Sequence, residues 1–248
     1  MMPVKIDVII LSYGKNEGLR AITNQGIESL LASENPHEIE FNILVIESNK
    51  NLSLYQYPNT TTIYPDTAFG YNKYMNIGIN ATHNNYVCLS NNDLIYHRNW
   101  ASEILKAMDN DPHLLSANPY CSTFHKNEGF PENAPPLEGY FGVLMGWCIF
   151  LKREIFDTIG MLDEKLLFWY CDTDYCQLLL KHGIKNCLIS TSFVTHLGSV
   201  SLNTLNTKEN QKLTQLPRAY YSYKWIHHSY IKYMAQTALF KIKSFLGL

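Results

Sequence analysis

Short apolar runs alternate with amphipathic stretches along this chain, and that alternation restricts the fold more than any other feature. Ile6 to Leu11 is apolar throughout except at Asp7, and beyond it Leu19, Ile22, Ile27, Leu30 and Leu31 recur at helical spacing. A continuous apolar run is the pattern of a strand covered on both faces, so the opening reads as strand, loop, helix. Ile43 to Ile46 gives a second buried strand, 71–81 a helix, and Tyr86 to Leu89 a third strand. Asn99 stands as N-cap of a helix carrying Trp100, Ile104, Leu105 and Met108, which Asp111-Pro112 closes. Further on come a strand over Trp147 to Leu151, a short helix near Arg153 to Ile159, and a helix from Asp172 to His182 ending at Gly183. Cys187 to Ile189 and Phe193-Val194 read as short strands. This order predicts an α/β domain with a sheet flanked by helices. The stretch from Pro119 to Gly139, rich in Pro, Gly, Asn and His, has no periodicity and reads as a long loop of the kind that serves as a lid or stays disordered.

With 248 residues and 46% hydrophobic content, the chain can bury a substantial core as one domain plus an appendage. Cys88, Cys121, Cys148, Cys171, Cys176 and Cys187 form no CxxC pair, and several lie in apolar runs; they read as reduced core residues of a cytoplasmic protein. The first residues lack the apolar length and cleavage site of a signal peptide, and no run approaches the roughly 20 apolar residues of a membrane span. The net charge of −2 is unevenly spread. No acidic residue follows Glu209, whereas Lys212, Arg218, Lys224, Lys232, Lys241 and Lys243 do, so a +6 tail adjoins a −8 body.

Asn91-Asn92-Asp93 stands where the strand Tyr86 to Leu89 runs out. A carboxylate at a strand's carboxyl end is well placed to hold a divalent cation against a phosphate, although the same tripeptide is also ordinary turn chemistry. The loop from Ser12 to Glu17 follows the first strand at the same end of the sheet, and Tyr13 could pack on a base or simply cover the sheet. Glu47 ends the second strand with a lone carboxylate that could take a base N–H or ribose hydroxyl, or cap a turn through neighbouring amides. Gly70 and Gly78 allow close approach of a ligand or of a packed neighbour. Asp172 follows Phe168-Trp169-Tyr170 near a helix start, a partly apolar setting that suits a general base; Asp174, two residues on, points elsewhere and reads as a capping or supporting carboxylate. Trp147, Trp169 and Tyr170 could form a platform for an acceptor sugar, or belong to the core.

Five landmarks in order carry a resemblance: Ile9-Ile10-Leu11-Ser12-Tyr13; Val45-Ile46-Glu47-Ser48-Asn49; Gly70 with Asn76-Ile77-Gly78; Leu89-Ser90-Asn91-Asn92-Asp93; and Asp172-Thr173-Asp174 followed by His196-Leu197-Gly198-Ser199-Val200-Ser201. From Ile6 to Ser201 the chain resembles a family 2 glycosyltransferase of the GT-A fold, similar to bacterial surface-polysaccharide enzymes of the rhamnosyltransferase-like type. The resemblance implies a Rossmann-like mixed sheet flanked by helices, with a nucleotide-binding half (1–95) and an acceptor-binding half (96–205) in one catalytic domain (1–205). It implies a nucleotide-diphosphate sugar donor held by Ser12, Tyr13, Glu47, Gly70, Asn76, Asn91, Asn92 and Asp93. A divalent metal, Mn²⁺ or Mg²⁺, would be bound by Asp93 and His196. Asp172 would be the base of an inverting transfer to a glycan or lipid-linked glycan, with Trp147, Trp169 and Tyr170 on the acceptor side. The chain departs from the family pattern at Cys171, usually Glu, at Leu178, often Arg, and at Gly14 and Ala68, both often Asn.

The remaining segment, 206–248, is a basic aromatic helical tail. From Pro217 it interleaves eight aromatic residues with lysines, and Ile226, Tyr230, Tyr233, Met234 and Ile242 can share much of a helical face. Such a tail suits the cytoplasmic face of a membrane, or packing on the body or on a second subunit. The acidic body and the lack of a nucleic-acid motif argue against nucleic acid as partner. A catalytically lapsed nucleotide-sugar-binding accessory protein, a sugar-phosphate nucleotidylyltransferase and a membrane-peripheral structural protein are the competing readings.

Overall fold

The computed structural model describes residues 2–198 and 207–246, with the side chains of 207–209 and 244–246 left aside. The landmark residues Ser199-Val200-Ser201 and the 205/206 domain boundary therefore lie outside the described residues. In chain order the elements are β1 (Val4–Ser12), α1 (Glu17–Ala32), β2 (Ile39–Glu47), β3 (Thr61–Ile63), α2 (Tyr71–Ala81), β4 (Tyr86–Asn91), β5 (Leu94–Tyr96), α3 (Trp100–Asn110), β6 (Leu114–Cys121), α4 (Phe124–Asn127), β7 (Leu137–Glu138), β8 (Cys148–Lys152), α5 (Ile155–Ile159), α6 (Cys171–His182), β9 (Lys185–His196), α7 (Thr207–Tyr221), a π-helical turn (Ser222–His227) and α8 (Tyr230–Leu246). They build one mixed sheet in the order β3-β2-β1-β4-β8-β6-β9-β5, with β7 on β9. The first four strands are parallel; β8 enters antiparallel between β4 and β6.

Period-2 alternation in β1 feeds two cores. Ile6, Val8 and Ile10 pack with Ile27 and Leu30 of α1 and Trp100, Ile104 and Met108 of α3 on one face. Ile9 and Leu11 pack with Met75 and Ile79 of α2 and Leu179 of α6 on the other. Asp7, the polar break in the run, is fully buried at the far end of the strand, where Arg153 donates to it at 2.7 Å and Asn42 and Asn84 complete its shell. Removing the guanidinium would strand a buried charge, which explains why an otherwise apolar strand tolerates the residue. Gly78 lets α2 lie on β1: a Cβ there would run into the Ile9 side chain. All six cysteines are free and buried.

Three local expectations are revised. Asn99 sits in the left-handed region (φ 64°) and its side chain does not cap α3; Glu34 reaches over instead and accepts from the Ala101 and Ser102 amides at 2.8 and 3.0 Å. The N-terminal amides of α3 are thus satisfied by a carboxylate that sequence proximity could not reveal. The 119–139 stretch is partly ordered: it begins inside β6, forms α4 around the buried His125, and contributes Leu137 and Glu138 to the sheet. The two short strands expected near 187–194 are one continuous strand, β9.

Candidate active site

Strand order decides where a ligand can sit. β2 and β4 lie on opposite sides of β1: the chain leaves β1 through α1 to β2 and crosses back from β3 through α2 to β4, which opens a crevice at the carboxyl ends of β1 and β4. Leu11 and Asn91 are in register there, as are Ser12 and Glu47.

Beneath the crevice lies a buried polar network. Glu47 accepts from the Gly14 amide at 2.9 Å and the Asn49 amide at 2.8 Å on Oε1, and from Ser12 Oγ at 2.8 Å and the Tyr57 hydroxyl at 2.9 Å on Oε2. Ser12, fully buried, also lies 3.2 Å from Thr23 Oγ1, which accepts from Asn92 Nδ2 at 2.8 Å. The ends of β1, β2 and β4 and the first turns of α1 are thereby locked together. Ser12 Oγ, both Glu47 oxygens and Asn92 Nδ2, expected to meet the donor, are thus hydrogen-bonded within the protein and form the floor of the crevice. Tyr57 shows the dryness of this floor, its phenol pushed well up by burial, with the Glu47 charge adding to it.

Asn76 is engaged in the same way. Its amide clasps the 162–164 loop through Leu162 N and O at 3.1 and 2.9 Å and Glu164 at 3.1 Å, which uses both ends of the group. Gly70 has extended backbone, and an added Cβ would meet nothing nearer than 3.5 Å, so nothing within the protein calls for glycine there. Tyr13 and Asn91 stay half-buried at the crevice, Asn91 through an amide that donates to the Trp147 carbonyl at 2.9 Å.

Asp93 and His196 come together because β5, starting one residue after Asp93, pairs antiparallel with β9 and sets Leu94 opposite His196. The Leu197 amide donates to the Asp93 carbonyl at 2.9 Å and closes the corner. His196 Nε2 is 3.2 Å from Asp93 Oδ1, yet it is buried and off the line of a hydrogen bond, with no such partner among the described residues. A cation with ligands at about 2.1 Å in octahedral array holds neighbouring ligands roughly 3 Å apart, so this spacing fits two protein ligands of one Mn²⁺ or Mg²⁺. The described residues offer no group of three or more His, Cys, Asp or Glu for a closed metal site. Two ligands suit a cation whose other positions go to water and phosphate oxygens.

Of the two readings open for Trp147, platform or core, its 6% exposure fits the core: its ring stacks on His196 (5.6 Å, 26°) and meets His125 edge-on at 5.6 Å. It therefore orients the histidine. His125 is kept neutral by burial, its pKa pushed down to about 4, and accepts the Cys121 amide at 2.8 Å.

Asp172 lies in the first turn of α6 against the other side of the same wall: a Cβ on Gly146 would touch its Cβ at 2.9 Å and Oδ2 at 3.2 Å. Gly146 thus makes room for the carboxylate, and its carbonyl accepts from Tyr71 at 2.9 Å. Burial, with Cys171 and Asp172 nearby, pushes the Tyr71 phenol well up, so it remains a donor. Asp172 Oδ1 takes the Thr173 amide at 2.7 Å, leaving Oδ2 toward Gly146. Trp169, three residues before Asp172, is 42% exposed and meets Phe168 edge-on at 5.5 Å; Tyr170, at φ 69°, turns onto Tyr221 of α7 at 5.1 Å. Cys171 is a buried thiol whose pKa burial raises, so the position usually acidic carries no charge here.

The C-terminal segment, which local sequence could not dock, is fastened next to this carboxylate. Lys224 bridges Asp163 and Asp174 at 2.9 and 2.8 Å, and Trp225 Nε1 donates to Asp174 at 2.6 Å. Tyr220 donates to Asp163 at 2.8 Å, and Gln177 to the Tyr221 hydroxyl at 3.1 Å. Of the readings open for the tail, its first part packs on the body, and Asp174 is the anchor.

No protein-family model and no curated protein sequence matches the chain. Solved structures do. S. aureus TarS 1–349 in complex with UDP aligns over 98% of this chain and 72% of its own, at 13% identity and TM-score 0.61. GalNAc-T7 with UDP, GalNAc and Mn²⁺ aligns over 78% of this chain, at 13% identity and TM-score 0.61; the match spans 44% of the GalNAc-T7 chain. The catalytic domain of Drosophila β1,4-galactosyltransferase 7, complexed with xylobiose, aligns over 82% of this chain and 75% of its own, at 11% identity and TM-score 0.53. These are GT-A glycosyltransferases, and with a central mixed sheet flanked by helices this chain has their fold.

Proposed function

We propose that this protein is an inverting glycosyltransferase, moving a sugar from a nucleotide-diphosphate donor to a glycan or lipid-linked glycan acceptor in surface-polysaccharide synthesis. The observation that carries the reading is the pair Asp93 and His196: a buried imidazole nitrogen without a hydrogen bond among the described residues, held 3.2 Å from a carboxylate at the carboxyl end of the sheet. These residues would hold the divalent cation, which when bound supplies positive charge to the leaving diphosphate. Neighbours captured with UDP, and one with Mn²⁺, favour the same chemistry.

The chain's own residues divide the remaining work. The floor of Ser12, Glu47, Tyr57, Thr23 and Asn92 fixes the strand ends, so that Tyr13 and Asn91 face the donor from a rigid base. Asp172 takes the proton from the acceptor hydroxyl as that oxygen attacks the anomeric carbon from the face opposite the leaving group, which inverts the centre. Trp169 gives the acceptor ring an apolar surface beside that base.

The test is a thermal-shift panel with UDP, dTDP, GDP and CMP, each with and without Mn²⁺, on wild type, Asp93→Ala and His196→Ala. A ligand at about 100 times its Kd stabilises by roughly 2.7 kcal/mol. A Mn²⁺-dependent shift with one nucleotide diphosphate, lost in both variants, is expected. No shift with any nucleotide would overturn the donor site.

A further inference from the structure

Helix α8 presents an apolar side that the body does not use. Tyr233 is turned inward, stacked on Tyr223 (5.4 Å, 22°) and edge-on to Tyr220 at 5.9 Å, and Thr237 and Phe240 are half-buried on the same side. The helix is thus fixed in rotation about its axis. At about 100° per residue, Tyr230, Met234, Ile231, Ile242 and Leu239 then follow one another over roughly half the circumference on the outer side, Tyr230 at its margin, where its ring also meets Tyr223 at 6.0 Å. Their exposures are 60, 47, 82, 56 and 54%, and Ile226 in the preceding turn is 66% exposed. The sequence face that grouped Tyr233 with Tyr230 and Met234 is thereby redrawn: Tyr233 leaves it, Ile231 and Leu239 join.

The charges say what this side fits. Lys241 lies near one margin of the stripe and Lys232 and Lys243 beyond the other, all exposed, and α8 contains no acidic residue. Lys224, in the preceding π-helical turn, is occupied by Asp163 and Asp174. A second copy docking through the same face would bring lysine toward lysine; an anionic lipid surface supplies the opposite charge on both margins, lets the lysine stems lie along the apolar boundary and receives Tyr230 at headgroup level. No helix among the described residues is long and apolar enough to cross a membrane, so the contact lies in the plane of the surface.

We propose that the outer side of α8 is a membrane-seating surface for anionic lipid. Because Tyr221, Lys224 and Trp225 fasten the preceding segment to the start of α6, the seat stands in fixed relation to Asp172. The inference does not depend on the transfer chemistry: vesicle binding and nucleotide binding are read separately.

The experiment is co-sedimentation of the full chain with vesicles of phosphatidylcholine alone or mixed with phosphatidylglycerol, at low and high salt, alongside its solution mass by light scattering. Wild type should pellet with the mixed vesicles, less at high salt. Ile231→Glu with Leu239→Glu should abolish pelleting, and because both side chains are solvent-exposed their melting temperature should match wild type. Replacing Lys232, Lys241 and Lys243 by Gln should lower partitioning into mixed vesicles by roughly two orders of magnitude, at about one kcal/mol per basic residue. Pelleting unchanged in these variants, no pelleting at all, or a dimer that the Ile231→Glu, Leu239→Glu variant dissociates would each overturn the proposal.

Discussion

Replacing Lys224 by Met tests whether the C-terminal segment is integral to the fold. Lys224 Nζ lies 2.9 Å from Asp163 and 2.8 Å from Asp174, whose side chains are 21% and 2% exposed. Removing one partner of a buried ion pair costs about 3–5 kcal/mol, because the other charge is left without compensation. Trp225 Nε1 still donates to Asp174 and Lys224 is itself 22% exposed, so the low end, about 3 kcal/mol, applies. For a chain of this length that is a fall in Tm of roughly 6–12 °C by calorimetry or fluorescence.

The penalty carries a pH signature. Burial raises the Asp174 pKa and outweighs the opposing pull of Lys224 and Trp225, so its ionised form is a cost at neutral pH that is relieved as pH falls. Asp163 is the reverse case: burial would raise it, but the hydrogen bonds from Lys224 and Tyr220 hold it below its ordinary value. Its stabilisation is present above roughly pH 4 and lost as pH falls further. Without Lys224, Asp174 rises further and takes up a proton in mild acid, so the gap between variant and wild type should narrow from pH 7.5 to pH 5. Adding Asp174→Asn to Lys224→Met should recover part of the loss, since no ionised group then remains at the deepest position. A Tm change under about 2 °C, or a gap independent of pH, would refute the reasoning.

Two further predictions concern the site itself. Glu47→Ala should leave the Gly14 and Asn49 amides buried and unpaired, destabilising by about 3 kcal/mol or more, whereas Glu47→Gln keeps an acceptor and should cost about half as much; urea denaturation distinguishes them, and an Ala variant of wild-type stability would mean the carboxylate is held for a ligand. Asp172→Asn should lower kcat by roughly 10²–10⁴-fold while leaving nucleotide-induced thermal shifts intact, checked by a transfer assay beside the melting panel; undiminished turnover would remove Asp172 from the role of base.

Apolar periodicity alone determined the parallel βαβ start, the helix faces and the place where polar residues meet the ends of buried strands, because burial on a sheet leaves a local pattern of two and on a helix one of 3.6. From flanking residues alone Asp93 reads as the end of a strand and Asp172 as the start of a helix. Local pattern has no means of telling a residue in a crevice from one beneath it. Ser12, Glu47 and Asn92 stand at strand ends and Asn76 inside α2, and only the packed structure shows them hydrogen-bonded to Tyr57, Thr23 and the 162–164 loop. The same limit hid the Glu34 cap of α3 and the turning of Trp147 onto His196, since each joins residues far apart in the chain. Tertiary structure also decided the tail. Its sequence is equally suited to lipid and to protein, and the burial of Asp174 divided it, drawing Lys224 and Trp225 onto the body and leaving Ile231, Leu239 and Ile242 outside. Composition determines that a helix has an apolar and a basic side; which side is consumed depends on where the fold places an uncompensated buried charge.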